Sequence, residues 1–398
     1  MCLPSGTGGN RRRRSVHTDT RPVLFTADTA PCAMPEGKRH MQLTGNFHTH
    51  TTFCDGESTA EEMIERALAL GFSSLGFSSH VDPPQGVPMD VPSYLAKIAS
   101  LQDTYRDRLT VLRGVELDNV MSPAAAPDVE YRIGSTHFIP CKNHPAWERT
   151  LSVEEAAALS PDGDPSSPFT RQTPGSAPSS PLSGHAPDGD PPSPFTGQTP
   201  GGLLCVDYEP DKMHALCRAW YDGDYLAMAA DYFRFESMVA RRTQPAFVGH
   251  FDLVTRFNDL PASEGGAFLD EKDKRYLDAA TGAMEQIIRD GVRFFEVNCG
   301  ATNRGRKKEP YPSSLLLRRL RELDGELIVS SDAHHALLLD GGFPEALSLI
   351  RDCGFDHVNV LTRTETDTPA VNTVQDIRFT DGREDVPLYW QRISLQTV

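Results

Sequence analysis

Short apolar runs alternate with segments of helical period along most of this chain, and that alternation limits the fold more than any other feature of the sequence. The runs Leu43–Phe47, Ser74–Phe77, Leu109–Val115, Tyr131–Ser135, Ala246–Val248, Phe294–Val297 and Leu327–Val329 read as strands. Ala60–Leu70, Tyr94–Arg106, Tyr225–Arg241, Lys274–Arg289, Ser314–Leu323 and Pro344–Cys353 place apolar residues at helical spacing. Ser58 with Glu61 reads as the capping box of the first helix, and Gly71 stands where that helix should stop. Successive strands joined through helices form a parallel sheet, so the fold class is α/β, either doubly wound or closed into a barrel. No Gly-rich dinucleotide fingerprint or Walker loop lies at any strand–helix junction, which weighs against a nucleotide cofactor.

Two stretches break the pattern. Residues 1–40 mix Gly, Ser, Thr, Pro and Arg without any period and read as a disordered extension. Up to residue 25 the only acid is Asp19, a composition shared by organelle transit peptides and by untargeted tails, so the chain reads as cytoplasmic or organelle-directed. The second break spans 155–202, where Pro161–Gly175 returns as Pro187–Gly201 with changes only at Ser166/Pro192 and Arg171/Gly197. Two Pro-dense copies without an apolar face cannot bury a core, so this is expected to be a disordered insertion into a domain spanning 41–398. With 31 Gly and 31 Pro in 398 residues, such segments dilute an enzyme-sized core. The balance of 39 Lys+Arg against 55 Asp+Glu argues against nucleic acid or anionic membrane as the main partner. No apolar stretch nears the roughly 20 residues a bilayer span requires. The eight cysteines form no C-x-x-C pair and read as reduced thiols, with Cys54 and Cys299 as packing residues.

The chemistry is concentrated at the ends of the strands. Leu43–Phe47 runs into His48, His50 and Asp55, and Ser74–Phe77 into His80. Leu109–Val115 ends in Glu116, Tyr131–Ser135 leads to His137, Ala246–Val248 to His250, and Leu327–Val329 to Asp332 and His334. Carboxyl ends of parallel strands converge on one site. Six of the 13 histidines would therefore share a pocket with three carboxylates, a donor set that suits Zn, Mn or Fe. In His48-x-His50 and Asp332-x-His334, alternation places both side chains of each pair on one side of an extended strand end. His17, His40, His185, His144, His214 and His357 read as structural or solvated, and His335 as pointing away from the cluster.

The segments His48-Thr-His-Thr-Thr-Phe-Cys-Asp-Gly56, Gly76-Phe-Ser-Ser-His80, Gly114-Val-Glu-Leu-Asp118, Gly134-Ser-Thr-His137, Gly249-His-Phe-Asp-Leu-Val254, Asn298-Cys-Gly-Ala-Thr-Asn-Arg304 and Ser331-Asp-Ala-His334 resemble those of histidinol-phosphatases of the PHP (polymerase and histidinol phosphatase) family. The likeness runs from about residue 44 to about residue 360, apart from the insertion. It implies a distorted (β/α)7 TIM-like barrel with a trinuclear metal site at its carboxyl face. On this resemblance His48, His50, Asp332 and a bridging Glu116 hold one ion, and His137 and His250 join Glu116 on a second. Asp55, His80 and His334 hold a third, and Asp55 stands where many members carry histidine. The cofactors implied are two to three divalent metal ions (Zn, Mn or Fe), and the partner is a small substrate, L-histidinol phosphate, hydrolysed by metal-activated water.

Asp332, His334 and His250 are the candidates for catalytic roles, while the acid that protonates the leaving alkoxide stays open between a ligand-adjacent histidine and a metal-bound water. A phosphate dianion also calls for a cation. Arg256, six residues past His250, is the first candidate and Arg304 the second, although Arg304–Lys308 reads equally as a solvated loop. The alternative for Arg256 is a surface pair with Asp259. Three rival functions remain open at this level: a PHP phosphoesterase acting on another phosphomonoester or nucleotide, an amidohydrolase, and a non-catalytic scaffold. The oligomeric state is not legible.

Overall fold

The computed structural model describes residues 43–81, 89–157, 202–363 and 388–395, all within the unit Met41–Val398. The extension over 1–40 and residues 158–201 of the expected insertion lie outside the described residues, as do His17, His40 and His185.

The first half of the fold contains β1 (Gly45–Asn46), α1 (Ala60–Ala69), β2 (Ser74–Phe77), α2 (Val91–Tyr105), β3 (Thr110–Asp118), β4 (Tyr131–Ser135), β5 (Phe138–Pro140) and α3 (Val153–Ala157). Next come β6 (Leu203–Cys205), α4 (Pro210–Tyr221), α5 (Tyr225–Glu236), α6 (Val239–Thr243), β7 (Phe247–Val248) and α7 (Lys274–Arg289). The chain continues through β8 (Phe294–Asn298), α8 (Gly300–Asn303), α9 (Ser314–Glu322), β9 (Glu326–Ser330), α10 (Phe343–Asp352), β10 (His357–Thr362) and β11 (Tyr389–Ser394).

One sheet runs in the order β1-β2-β3-β4-β7-β8-β9-β10-β11, parallel throughout except for the antiparallel β10–β11 pair. It curls strongly. Past the end of β1, Thr49 forms a parallel bridge with Ala333 past the end of β9, with His50 N donating to Ala333 O at 2.9 Å. β5 and β6 form a separate antiparallel pair, with Val206 N donating to His137 O at 2.9 Å.

The inside of the curl is plugged by Phe47, Leu112, Tyr131, Ile133, Phe247, Phe294 and Ile328. Tyr131 crosses it and donates from its hydroxyl to Phe47 O at 2.8 Å. A Cβ on Gly76 or Gly114 would come within 2.3 or 2.2 Å of Tyr131 side-chain atoms, so these two strand glycines make room for the plug. The ligand-bearing strand ends therefore rest on a solid apolar floor. A larger apolar cluster, including Met63, Ile64, Ile98, Met284, Leu316, Leu320 and Ile350, packs the helices onto the sheet.

Most strand and helix expectations fall within a few residues of these elements. The capping box lies one residue later than expected, since Thr59 Oγ1 accepts from Glu62 N and Glu62 reaches back to Thr59 N. Ser58 instead accepts from Ala336 N at 3.1 Å, a contact to the far end of the chain that no local pattern reveals. The expected helix Tyr225–Arg241 is split into α5 and α6, where the Ser237 hydroxyl turns back onto Arg234 O at 2.7 Å. The edge of the insertion is also corrected, because Glu155 is part of α3: its backbone N–H donates to Ser152 Oγ at 3.2 Å, and its carboxylate pairs with Arg149. Among the described residues no helix is long and apolar enough to cross a membrane.

Candidate metal centre

The bridge between Thr49 and Ala333 lays His48-x-His50 beside Asp332-x-His334, and strand alternation turns the two imidazoles of the first pair the same way. His50 Nε2 comes 3.3 Å from Asp332 Oδ1, and His48 Nε2 comes 3.7 Å from the same oxygen. Asp332 adopts φ +50°, an uncommon conformation for a residue with a side chain, at the point where the backbone must turn its carboxylate into this cluster.

Glu116, at the end of β3, lies at the centre. Its Oε2 faces His48 Nε2 at 3.0 Å, His80 Nδ1 at 3.2 Å and His50 Nε2 at 3.3 Å. Its Oε1 faces His250 Nε2 at 2.8 Å and His137 Nε2 at 3.3 Å. On the open side, Asp55 Oδ2 lies 3.2 Å from His334 Nε2, and Asp55 Oδ1 lies 3.6 Å from His50 Nδ1 and 3.9 Å from His80 Nε2. All nine residues expected from the strand ends thus converge. Their donor atoms form four overlapping groups, each within 4.8 Å: His50/Asp55/His80/His334, His48/His50/Asp332, His48/Glu116/His250 and His80/Glu116/His137. The floor is buried, whereas the Asp55 side chain is 55% exposed and marks the mouth.

Burial opposes charge on all these groups, and their mutual attraction overrides it at several. Burial alone would raise Glu116, yet His48, His80 and His137 hold it well below the ordinary carboxylate range. Burial would lower His48, but Glu296, Glu116 and Asp332 raise it well above the usual imidazole value. His50 behaves oppositely, pushed down to about 3 by burial and by the neighbouring His334 and His80. A neutral imidazole has a lone pair to offer. His50 Nε2 is buried between two carboxylates and makes no hydrogen bond of good geometry among the described residues. An imidazole and carboxylate donor set of this kind, with an orphaned nitrogen aimed into it, fits divalent metal ions.

A second layer holds the ligands; the sequence reading noted Asp118 only as part of the strand-end motif Gly114–Asp118 and missed Glu296 altogether. Glu296 on β8 is fully buried and faces His48 Nδ1 at 2.6 Å, while accepting from His250 N at 2.8 Å. Asp118 faces His137 Nδ1 at 3.0 Å and accepts from His137 N at 2.7 Å. Carboxylates behind ligating imidazoles fix ring orientation and tautomer. The available signal was an acid inside an apolar strand, Phe294-Phe-Glu-Val-Asn298, where an unpaired charge would be costly.

Arg256 and Arg304 are both at the site. Arg256 Nη1 pairs with Asp207 Oδ2 at 3.3 Å, not with Asp259, which instead accepts from Lys308 N at 2.9 Å. Arg304 donates to Asp332 O at 3.3 Å and lies 3.6 Å from Asp332 Oδ2. Arg306 is held below the usual guanidinium value by burial and by repulsion from Arg256 and Arg304, so three cations gather at one rim. Lys307 is buried and donates to Thr255 Oγ1 at 2.9 Å, so the 304–308 stretch is not simply a solvated loop. Asp207, just past β6, was also missed, because nothing near it in sequence marks it as part of the site.

The remaining side chains fall as expected. Burial and Asp55 push the Cys54 thiol up to about 12, and burial pushes Cys299 up as well, so neither is a thiolate. His144 caps a 3-10 turn, His214 contacts Gly265 O at 2.7 Å, and His357 lies between Glu326 and Asp356. His335 caps the turn Ala336–Leu338.

Comparison with known proteins shows what the chain is similar to. A family profile described as PHP domain matches residues 46–163. The chain is 29% identical over 340 residues, 79% of its length and 87% of the relative's, to a Schizosaccharomyces pombe protein named "Probable histidinol-phosphatase". A Deinococcus radiodurans protein of the same name is 31% identical over 114 residues, which cover 24% of this chain and 44% of that one. Among solved structures, the crystal structure of hisK from Listeria monocytogenes is similar in fold, with a TM-score of 0.53, 15% identity, and coverage of 76% of this chain and 99% of that one. The chain is therefore similar to histidinol-phosphatases of the PHP family, as its motifs suggest.

Proposed function

We propose that this chain is a metal-dependent phosphomonoesterase that hydrolyses L-histidinol phosphate to L-histidinol and phosphate. The observation that carries the reading is the convergence of nine donor side chains around Glu116, with Arg256 and Arg304 beside them. The names of the curated relatives support the substrate. In this reading seven of the parallel strands, β1, β2, β3, β4, β7, β8 and β9, make up the distorted (β/α)7 barrel of the family, carrying the site at their carboxyl ends. In the sequence, the N-terminal extension precedes that domain and the Pro-rich insertion interrupts it.

His48, His50, Asp332 and Glu116 would hold one ion, His137, His250 and Glu116 a second, and Asp55, His80 and His334 a third. His50 is also a member of the third group, and as a neutral imidazole with one lone pair it would ligate one of the two ions. Bound there, divalent cations acidify a water toward neutral pH and neutralise charge on phosphoryl oxygens. The chain's own residues do the rest. Glu296 and Asp118 keep the proton of His48 and His137 on Nδ1, freeing each Nε2 to face the ions. Arg256 and Arg304 orient the phosphate and offset its charge. His250, His334 and Asp332 would lie next to the reacting group, and the proton returned to the leaving alkoxide would come from a histidine beside the ligands or from a metal-bound water.

The test is phosphate release by metal-loaded protein from histidinol phosphate and from a panel of other phosphomonoesters and nucleotides. The proposal expects histidinol phosphate to give the highest kcat/KM. Preference for a nucleotide or another monoester would instead identify a different PHP phosphoesterase.

A further inference from the structure

Tyr311 is a buried polar group beside the site that neither the fold nor the proposed chemistry uses. Its backbone is fixed at the carboxyl end of β8, where it exchanges hydrogen bonds with Asn298 at 2.8 and 3.1 Å. Its ring is 2% exposed, stands edge-on to the His250 ring with centroids 6.3 Å apart, and lies beneath Lys307 Nζ at 5.3 Å. Lys307 is itself tied to Thr255, next to Arg256. The hydroxyl has no hydrogen-bond partner among the described residues. A buried, unsatisfied hydroxyl costs free energy, and in a native structure it calls for an explanation. By contrast, Tyr94, Tyr131 and Tyr232, equally buried, each donate to a backbone carbonyl.

We propose that the Tyr311 hydroxyl is a phosphate-contacting donor, completing with Arg256 and Arg304 the cradle that binds the phosphoryl group of the substrate. Tyr311 is bridged to the carboxyl end of β8, the neighbour of the strand β7 that leads to His250, and its ring stands against that histidine. Burial raises its pKa, and although Arg256 and Arg304 act in the opposite direction it remains protonated, so it offers a proton to an acceptor oxygen. A neutral donor among cations adds direction without adding charge, and a phosphoryl oxygen is the acceptor that the arginines would bring to it. The inference rests on the phosphatase reading only in that a phosphoryl group is bound; it does not depend on which alcohol carries it.

The experiment compares Tyr311→Phe with Tyr276→Phe in the full, metal-loaded chain. Tyr276 is a useful control, because its hydroxyl is also buried without a partner among the described residues, but the residue lies on α7 and the charged groups acting on it are Asp252 and Glu271, not the two arginines that act on Tyr311. The readouts are the dissociation constant of inorganic phosphate, kcat/KM for histidinol phosphate, metal content and thermal midpoint. Tyr311→Phe should weaken phosphate binding about 10-fold and lower kcat/KM by about 10- to 100-fold, with metal content unchanged and the midpoint equal or higher. Tyr276→Phe should leave phosphate binding unchanged. Phosphate binding within twofold of wild type in Tyr311→Phe would overturn the proposal, as would an equal loss in Tyr276→Phe or a lower midpoint with unaltered phosphate affinity. Because phosphate is common to all monoesters, wild-type failure on histidinol phosphate would refute the substrate assignment while the binding arm still decides the role of Tyr311.

Discussion

Replacing Glu296 with Gln isolates what the second layer contributes, because it keeps volume and removes one acceptor. The two carboxylate oxygens take four donors. Oε1 accepts from His48 Nδ1 at 2.6 Å and from the Ser330 hydroxyl, and Oε2 accepts from His250 N at 2.8 Å and Asn298 Nδ2 at 2.9 Å. A glutamine offers one oxygen. Keeping that oxygen toward the backbone N–H and the Asn298 amide turns its own NH2 toward His48 and Ser330. The Ser330 hydroxyl can rotate and accept. His48 can comply only by moving its proton from Nδ1 to Nε2, the nitrogen that faces Glu116 and would have to ligate an ion. The cost is one hydrogen bond to a charged acceptor, about 1.5–3 kcal/mol, together with the wrong tautomer. That corresponds to about 10- to 100-fold in metal affinity, with a similar or larger fall in kcat/KM. Metal affinity is read by competition with a chelator of known strength, and folding by circular dichroism. Affinity and turnover both within twofold of wild type, in a folded protein, would refute the claim that Glu296 sets the tautomer of His48.

Arg256→Ala should keep full metal content yet lower kcat/KM for histidinol phosphate by roughly 10²-fold, the loss of a charge-assisted contact of about 2–3 kcal/mol; wild-type kinetics would leave Arg256 as only the ion-pair partner of Asp207. Away from the site, Glu326 is brought from an ordinary 4.5 to about 2: burial opposes its charge, but His357 and Asn359 outweigh burial. A depressed carboxylate adds stability above its unfolded pKa and loses it as pH falls through the folded one. Glu326→Gln should therefore lower the thermal midpoint near pH 6, with the difference from wild type shrinking between pH 4.5 and about 2. A pH-independent difference would contradict that assignment.

What the sequence revealed and what it hid divide along a physical line. The ligands were legible because strand ends converge in any parallel α/β sheet, so His or acid after each apolar run already implies a shared pocket. Helix Lys274–Arg289 was legible for the same local reason, as its apolar stripe repeats at helical spacing. Glu296, Asp118, Asp207 and Tyr311 depend on contacts between segments far apart in the chain, such as the 248-residue separation of Glu296 from His48. No local period encodes such a pair. The shift of the helix cap from Ser58 to Thr59 has the same origin, because Ser58 is taken by a segment 278 residues away. Short strands were blurred too: β1 and β7 are two residues each, and their ends are set by sheet neighbours instead of by their own apolar runs.

The central claim is that the nine converging side chains hold catalytic divalent ions, and elemental analysis of the purified chain beside Glu116→Ala tests it most directly. The account predicts two to three divalent ions per wild-type chain, loss of phosphate release from histidinol phosphate on chelation, and loss of metal as well as turnover in Glu116→Ala, since Glu116 is the carboxylate that five of the histidines face. Fewer than one ion per chain, with turnover untouched by chelator, would contradict it.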